Sequence, residues 1–204
     1  MTSLPPPAIR IRPLALAKLR CYARRCPFEI GGLGDVVADP EGLLITDVFI
    51  LPQRVSMSDT ELSSEGLFAF LSRLVAEGRD VSRTRVWWHS HGEMEVSWSD
   101  TDAETIENLP GEYWVAVVTN RRGEVRCRLD AYAPVRQTWN LPLEEVGGEG
   151  PADPARLEAQ VDQEILAQVS SPLPLEDLLG TGLGEDLAES PSGGEARGGG
   201  SCER

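Results

Sequence analysis

The stretch Val86-Trp-Trp-His-Ser-His-Gly92 decides how this chain is read. It joins an apolar, strand-like run to the two histidines of the sequence, His89 and His91. In an extended strand, residues i and i+2 share a face. That spacing sets the two imidazoles about 6–7 Å apart at their Cβ atoms and lets them converge on one ion. Scattered histidines would carry no message, whereas a His-x-His pair closing an apolar strand points to a metal.

Moving downstream, Asp102 falls eleven residues after His91, at the start of a predicted helix over 99–108 with Ser99 as its N-cap. Two neutral imidazoles and one carboxylate leave a zinc ion positively charged with one coordination position open. That is the pattern of catalytic rather than structural zinc. A water at such a position has its pKa lowered toward ~7 and still needs a carboxylate base within hydrogen-bond reach. Glu29 suits that task, because it precedes Ile30-Gly-Gly-Leu-Gly34, where small residues permit close backbone approach. Residue patterns alone do not single it out from the other glutamates.

Farther out, the periodicities predict an α/β (α+β) domain with a mixed, mainly antiparallel sheet flanked by helices. Strands are expected over 8–12, 30–38, 43–51, 85–91, 113–119 and 125–132, and helices over 13–25, 59–77 and 99–108. Asp39-Pro-Glu-Gly42 reads as a hairpin turn and 52–59 as a loop. Trp87 and Trp88 are expected to pack, and Arg121 and Arg122 to occupy a solvated turn. Composition divides the chain at three places. Residues 8–143 form the domain, 144–170 a linker with an amphipathic helix, and 171–204 an acidic, Gly/Pro/Ser-rich disordered tail. The helix over 155–169 is expected to dock on its own domain or on a partner.

Residues 1–143 carry a net charge of −3 and residues 144–204 one of −11, so the C-terminal stretch supplies most of the −14. This acidity argues against generic binding to nucleic acid or an anionic membrane. No apolar run approaches the ~18 residues of a membrane span. Cys21, Cys26, Cys127 and Cys202 form no CxxC pair and read as incidental thiols in a reducing compartment. The expectation is a cytoplasmic protein.

Trp88-His-Ser-His91, followed by Ser99-Asp-Thr-Asp102, resembles the motif of the JAMM (MPN-plus) metallopeptidases. That motif is His-x-His with Ser and Asp eight and eleven positions after the second His. Glu29-x-x-Gly32 resembles the family's glutamate element. The likeness spans residues 8–133 and is greatest to prokaryotic and phage members. It implies a JAMM/MPN-like (cytidine-deaminase-like) domain with zinc on His89, His91 and Asp102. It further implies Glu29 as acid/base and Ser99 as stabiliser of the oxyanion. The implied reaction is hydrolysis of an isopeptide or peptide bond at the C-terminus of a ubiquitin-like protein. Many members carry Pro directly after the second His; here Gly92 stands there, so the 92–98 segment is expected to be more mobile. Two rival readings share these residues: a peptidase processing a sulfur-carrier protein, and a non-catalytic scaffold of the same fold.

Overall fold

The structure is a computed structural model that describes residues 8–55 and 60–180. In chain order the elements are β1 (Ile9–Ile11), α1 (Pro13–Arg25), β2 (Gly31–Asp39), β3 (Gly42–Ile50), β4 (Gln53–Val55) and β5 (Thr60–Leu62). There follow α2 (Ser64–Ala76), β6 (Thr84–Ser90), α3 (Asp100–Glu107), β7 (Tyr113–Thr119), β8 (Val125–Ala131) and β9 (Gln137–Leu141). The chain continues through β10 (Leu143–Glu145), α4 (Pro154–Gln168), β11 (Val169–Ser170) and α5 (Leu175–Gly180). Eight strands form one mixed, mostly antiparallel sheet in the order β10-β1-β3-β2-β6-β7-β8-β9, flanked by helices. A small sheet, β11-β4-β5, lies apart from it.

Strand alternation divides the core into two layers. On one face Ile30, Trp88, Val115, Val117 and Cys127 pack with α1 and α4. On the other, Leu33, Trp87, Trp114 and Ala116 pack with Phe70 and Leu74 of α2 and Ile106 of α3. The adjacent tryptophans therefore anchor opposite layers.

The centre of the sheet is fixed by a close approach. The Trp88 indole N–H lies 3.1 Å from both the Leu33 and Phe49 carbonyls, and its ring stacks on Tyr22 of α1. The indole crosses at Gly32, where a Cβ would stand 1.9 Å from the Phe49 carbonyl oxygen and 2.9 Å from Trp88 Nε1. Only glycine fits between these strands.

The sheet also closes on itself. β9 pairs with β8 at one edge, with Leu141 opposite Cys127. β10 pairs in parallel with β1 at the other edge, with Leu143 opposite Ile9. Pro142 alone separates β9 from β10, so the two edges lie within the reach of one residue. The Ile9 N–H donates to the Pro142 carbonyl at the junction.

Several boundaries differ from those expected. The segment read as a loop over 52–59 contains β4 and leads into β5. The helix expected from residue 59 begins at Ser64, because the Ser63 hydroxyl caps it by accepting the Gly66 N–H. β9 and β10 were not foreseen. Residues 143–145 belong to the main sheet, and α4 docks on its own domain, one of the two outcomes expected for it. Its buried face, Leu157, Val161 and Ile165, enters the α1 layer. Its acidic side meets the basic end of α1: Asp162 takes two hydrogen bonds of 2.7 Å from Arg25, Glu158 pairs with Arg24, and Glu164 accepts from Tyr22. Residues 175–180, expected to belong to the disordered tail, instead form α5, with Leu175 and Leu179 buried in the same layer. Residues 181–204 lie outside the described residues.

The docking of α4 sets a stability prediction. Ile165 is fully buried, and Ile165→Ala should cost about 2–5 kcal/mol in denaturant unfolding. Its exposed neighbour, Leu166→Ala, should stay within about 0.5 kcal/mol of the parent. Equal, small effects at both positions would mean that the helix is only loosely attached.

Candidate metal centre

The site is built at the C-terminal end of β6, and topology explains its position. β6 and β7 are parallel, so the chain must cross over between them, and α3 is that crossover helix. A crossover helix starts near the C-terminal end of the strand it follows. The N-terminus of α3, with Asp102 in its first turn, is thereby returned to the histidines at the end of β6.

His89 and His91 lie on the Trp87 face of the sheet. The Trp87 and His89 ring centroids are 4.6 Å apart, and those of His89 and His91 are 4.8 Å apart. The two Nε2 atoms approach to 2.9 Å. His89 Nε2 lies 3.2 Å from Asp102 Oδ1, and His91 Nε2 lies 3.9 Å from Asp102 Oδ2. One donor atom from each of the three residues falls within 4.8 Å of the others. A tetrahedral ion with bonds of ~2.0–2.1 Å holds its donors roughly 3.3 Å apart, and the observed separations bracket that value. The three side chains are only 11–13% exposed.

Each donor is oriented by a second contact. His91 Nδ1 lies 3.0 Å from the Glu95 carbonyl oxygen, which requires the proton on Nδ1 and leaves the Nε2 lone pair for a cation. His89 Nδ1 is buried without a hydrogen-bond partner among the described residues, and its ring contacts those of Trp87 and Trp98. Asp102 Oδ2 accepts from the Ser99 backbone N–H and from the Ser99 hydroxyl, each at 2.8 Å, which leaves Oδ1 directed at His89. The Ser99 hydroxyl also accepts the Asp102 N–H and completes a capping box.

Burial works to raise the Asp102 pKa, but the hydrogen bond and charge of His89 and the two Ser99 bonds outweigh it and bring the carboxyl down to about 2. At neutral pH the group is a carboxylate with no proton to displace when a cation arrives.

Ser99 and Glu29 need separate accounts. A serine hydroxyl carries one proton, and here it is directed to Asp102 Oδ2. In this conformation Ser99 serves the ligand, and the oxyanion role implied by the resemblance requires the hydroxyl to turn. Glu29 precedes β2, which pairs antiparallel with β6 so that Gly31 faces His89. Ile30 exchanges backbone contacts with Ser90 and is buried in the Trp88 layer. Glu29 itself lies two positions before the first residue of β2 and is half-buried. The Gln53 amide holds the start of β2 by accepting from the Gly31 N–H and donating to the Gly31 carbonyl, both at 2.9 Å. Sequence reasoning did not find Gln53. Its one visible signal is a polar residue between the apolar positions Leu51 and Val55.

The thiols offer no competing chemistry. Cys21, Cys26 and Cys127 are free and buried, and burial pushes them up to about 11, 11 and 12, away from reactive thiolates. Cys202 lies outside the described residues. Among the described residues, no helix is long and apolar enough to cross a membrane.

No family model matches the chain, and no curated protein matches it. Among solved structures it is similar to protein DSY2949 from Desulfitobacterium hafniense, whose solution structure was a structural-genomics target. The two are 14% identical over 72% of this chain and 97% of that one, with a TM-score of 0.47. A likeness at that level assigns neither family nor activity.

The capping box yields a prediction with two readouts. Ser99→Ala should cost about 1 kcal/mol of stability through the lost cap. Because it removes one of the two bonds that restrain Oδ2 and leaves only the backbone N–H, it should also weaken zinc binding roughly 10-fold in competition with a chelator. A variant that loses stability but binds zinc as tightly as the parent would limit Ser99 to the cap.

Proposed function

We propose that this chain is a zinc-dependent hydrolase of the JAMM (MPN-plus) metallopeptidase type. In this reading it cleaves an isopeptide or peptide bond at the C-terminus of a ubiquitin-like protein. The observation that carries the reading is the convergence of His89, His91 and Asp102 at the end of β6. Two imidazoles and one carboxylate match a catalytic zinc set and leave one position for water or substrate.

A zinc ion held by these residues supplies Lewis-acid activation of a water and of the scissile carbonyl. The remaining tasks fall to the chain. His89 and His91 would hold the ion through Nε2, and Asp102 through Oδ1 while Ser99 restrains Oδ2. The Glu29 carboxylate takes the proton of the attacking water and delivers it to the leaving amine. The Trp87 and Trp98 rings exclude bulk water from the His89 side, which strengthens every charge interaction in the recess. The substrate class comes from the motif resemblance, and metal chemistry from the donor set.

The test begins with metal content. Purified protein should hold about one zinc per chain and His89→Ala none. Glu29→Gln should keep the zinc and lose about 10²–10⁴-fold in turnover against ubiquitin-like fusion substrates. A zinc-free parent would overturn the reading. Full turnover by Glu29→Gln would move the base to another residue.

A further inference from the structure

The turn between β7 and β8 touches the segment that follows His91. Asn120 lies in that turn and is 1% exposed, which is unusual for an amide in a hairpin connection. Its side-chain Oδ1 accepts the Glu124 N–H at 3.0 Å, and its Nδ2 donates to the Glu124 carboxylate at 2.6 Å. Those bonds stabilise the hairpin itself. A further Nδ2 bond, 2.9 Å long, leaves the hairpin and reaches the Met94 carbonyl, 26 residues away.

Met94 closes a tight turn on the metal ligand, since its N–H donates to the His91 carbonyl at 2.9 Å. Within that turn Gly92 adopts φ +51°, a left-handed conformation closed to proline, whose ring fixes φ near −65°. The rigidity that proline would give must come from elsewhere. The Arg121 N–H donates to the Gly92 carbonyl at 2.8 Å, and the His91 N–H donates to the Thr119 carbonyl at 2.9 Å. Residues 119–121 thus grip the 91–94 turn at three points. The next residue, Glu95, supplies the carbonyl that orients His91 Nδ1.

We propose that Asn120 is a positioning residue for the metal centre. Through Met94 it fixes the 91–95 turn, and through the Glu95 carbonyl it sets the ring plane and tautomer of His91. The proposal rests on the metal-centre reading above. It replaces the mobile 92–98 segment expected from Gly92 with one whose first half is clamped by the neighbouring hairpin.

The experiment must separate hairpin stability from ligand positioning. Asn120→Ser keeps an acceptor for the Glu124 N–H, as serine does in turns, but is too short to reach Met94. The double variant Asn120→Asp with Glu124→Gln also keeps the hairpin bonds, since Gln can donate to Asp, and removes the donor to Met94. Zinc affinity is measured by chelator competition, with the thermal midpoint as the stability control. Both variants should bind zinc about 10–100-fold more weakly than the parent, the usual loss for an outer partner of a metal ligand. A second readout is the tautomer of His91 in long-range proton–nitrogen spectra of the metal-free protein, where two histidines make assignment direct. The parent should show the Nδ1–H form, and either variant a mixture. Parental zinc affinity and a single tautomer in whichever variant folds would overturn the proposal and confine Asn120 to the hairpin. A parent that binds no zinc would instead overturn the metal-centre reading.

Discussion

The Trp88 indole sets the register on which the site depends. It occupies the space over Gly32 that a Cβ would fill, within 3.1 Å of the Leu33 and Phe49 carbonyls. Three strands, β3, β2 and β6, are locked in phase by that one group. With the phase fixed, Gly31 stands opposite His89. A slip of one residue between β2 and β6 would turn the residues of β2 to the opposite layer and break the pairing beside His89. The glycines at the start of β2 therefore secure the surroundings of His89 through packing.

The metal centre is held from three directions. β6 supplies two donors on one face, the crossover helix α3 returns the third, and the β7–β8 hairpin braces the turn after His91. The donor groups are kept close together before any cation is present, at a cost in mutual repulsion and desolvation that the surrounding hydrogen bonds offset. Asp102 shows this balance most clearly. Burial opposes its charge, yet Ser99 and His89 hold it ionised. A cation held by these three groups would require little rearrangement of them.

Much of this was legible in the sequence because it depends on local periodicity. The His-x-His spacing requires only an extended strand, and the Ser99–Asp102 spacing requires only a first helical turn. α1 runs over the residues that Pro13 and Pro27 delimit. What the sequence concealed was long-range. β9 and β10 flank Pro142 and show little alternation, since β9 is largely exposed. The amphipathic pattern over 155–169 marked a docking helix but not its partner, and the acidic residues that pair with Arg24 and Arg25 of α1 could not be told apart from a solvated face. Leu175 and Leu179 were too few to mark a helix against a Pro- and Gly-rich background. Asn120 looked like an ordinary turn residue, because its bond to Met94 spans a distance that no local pattern encodes.

The junction at Pro142 has a consequence for the order in which the molecule becomes complete during synthesis. β1 is made first, yet one of its two neighbours, β10, is not made until Glu145 has emerged. The layer around α1 waits longer still, for Ile165 of α4 and Leu179 of α5. The ligands and Glu29 are all present in the nascent chain by Asp102, but the sheet that aligns them is then an open ribbon with a solvated first strand. Contacts of such long sequence separation form late and together. A ribosome-bound fragment that ends soon after Asp102 would thus carry all these groups but lack the strands and helices that complete the sheet and the α1 layer.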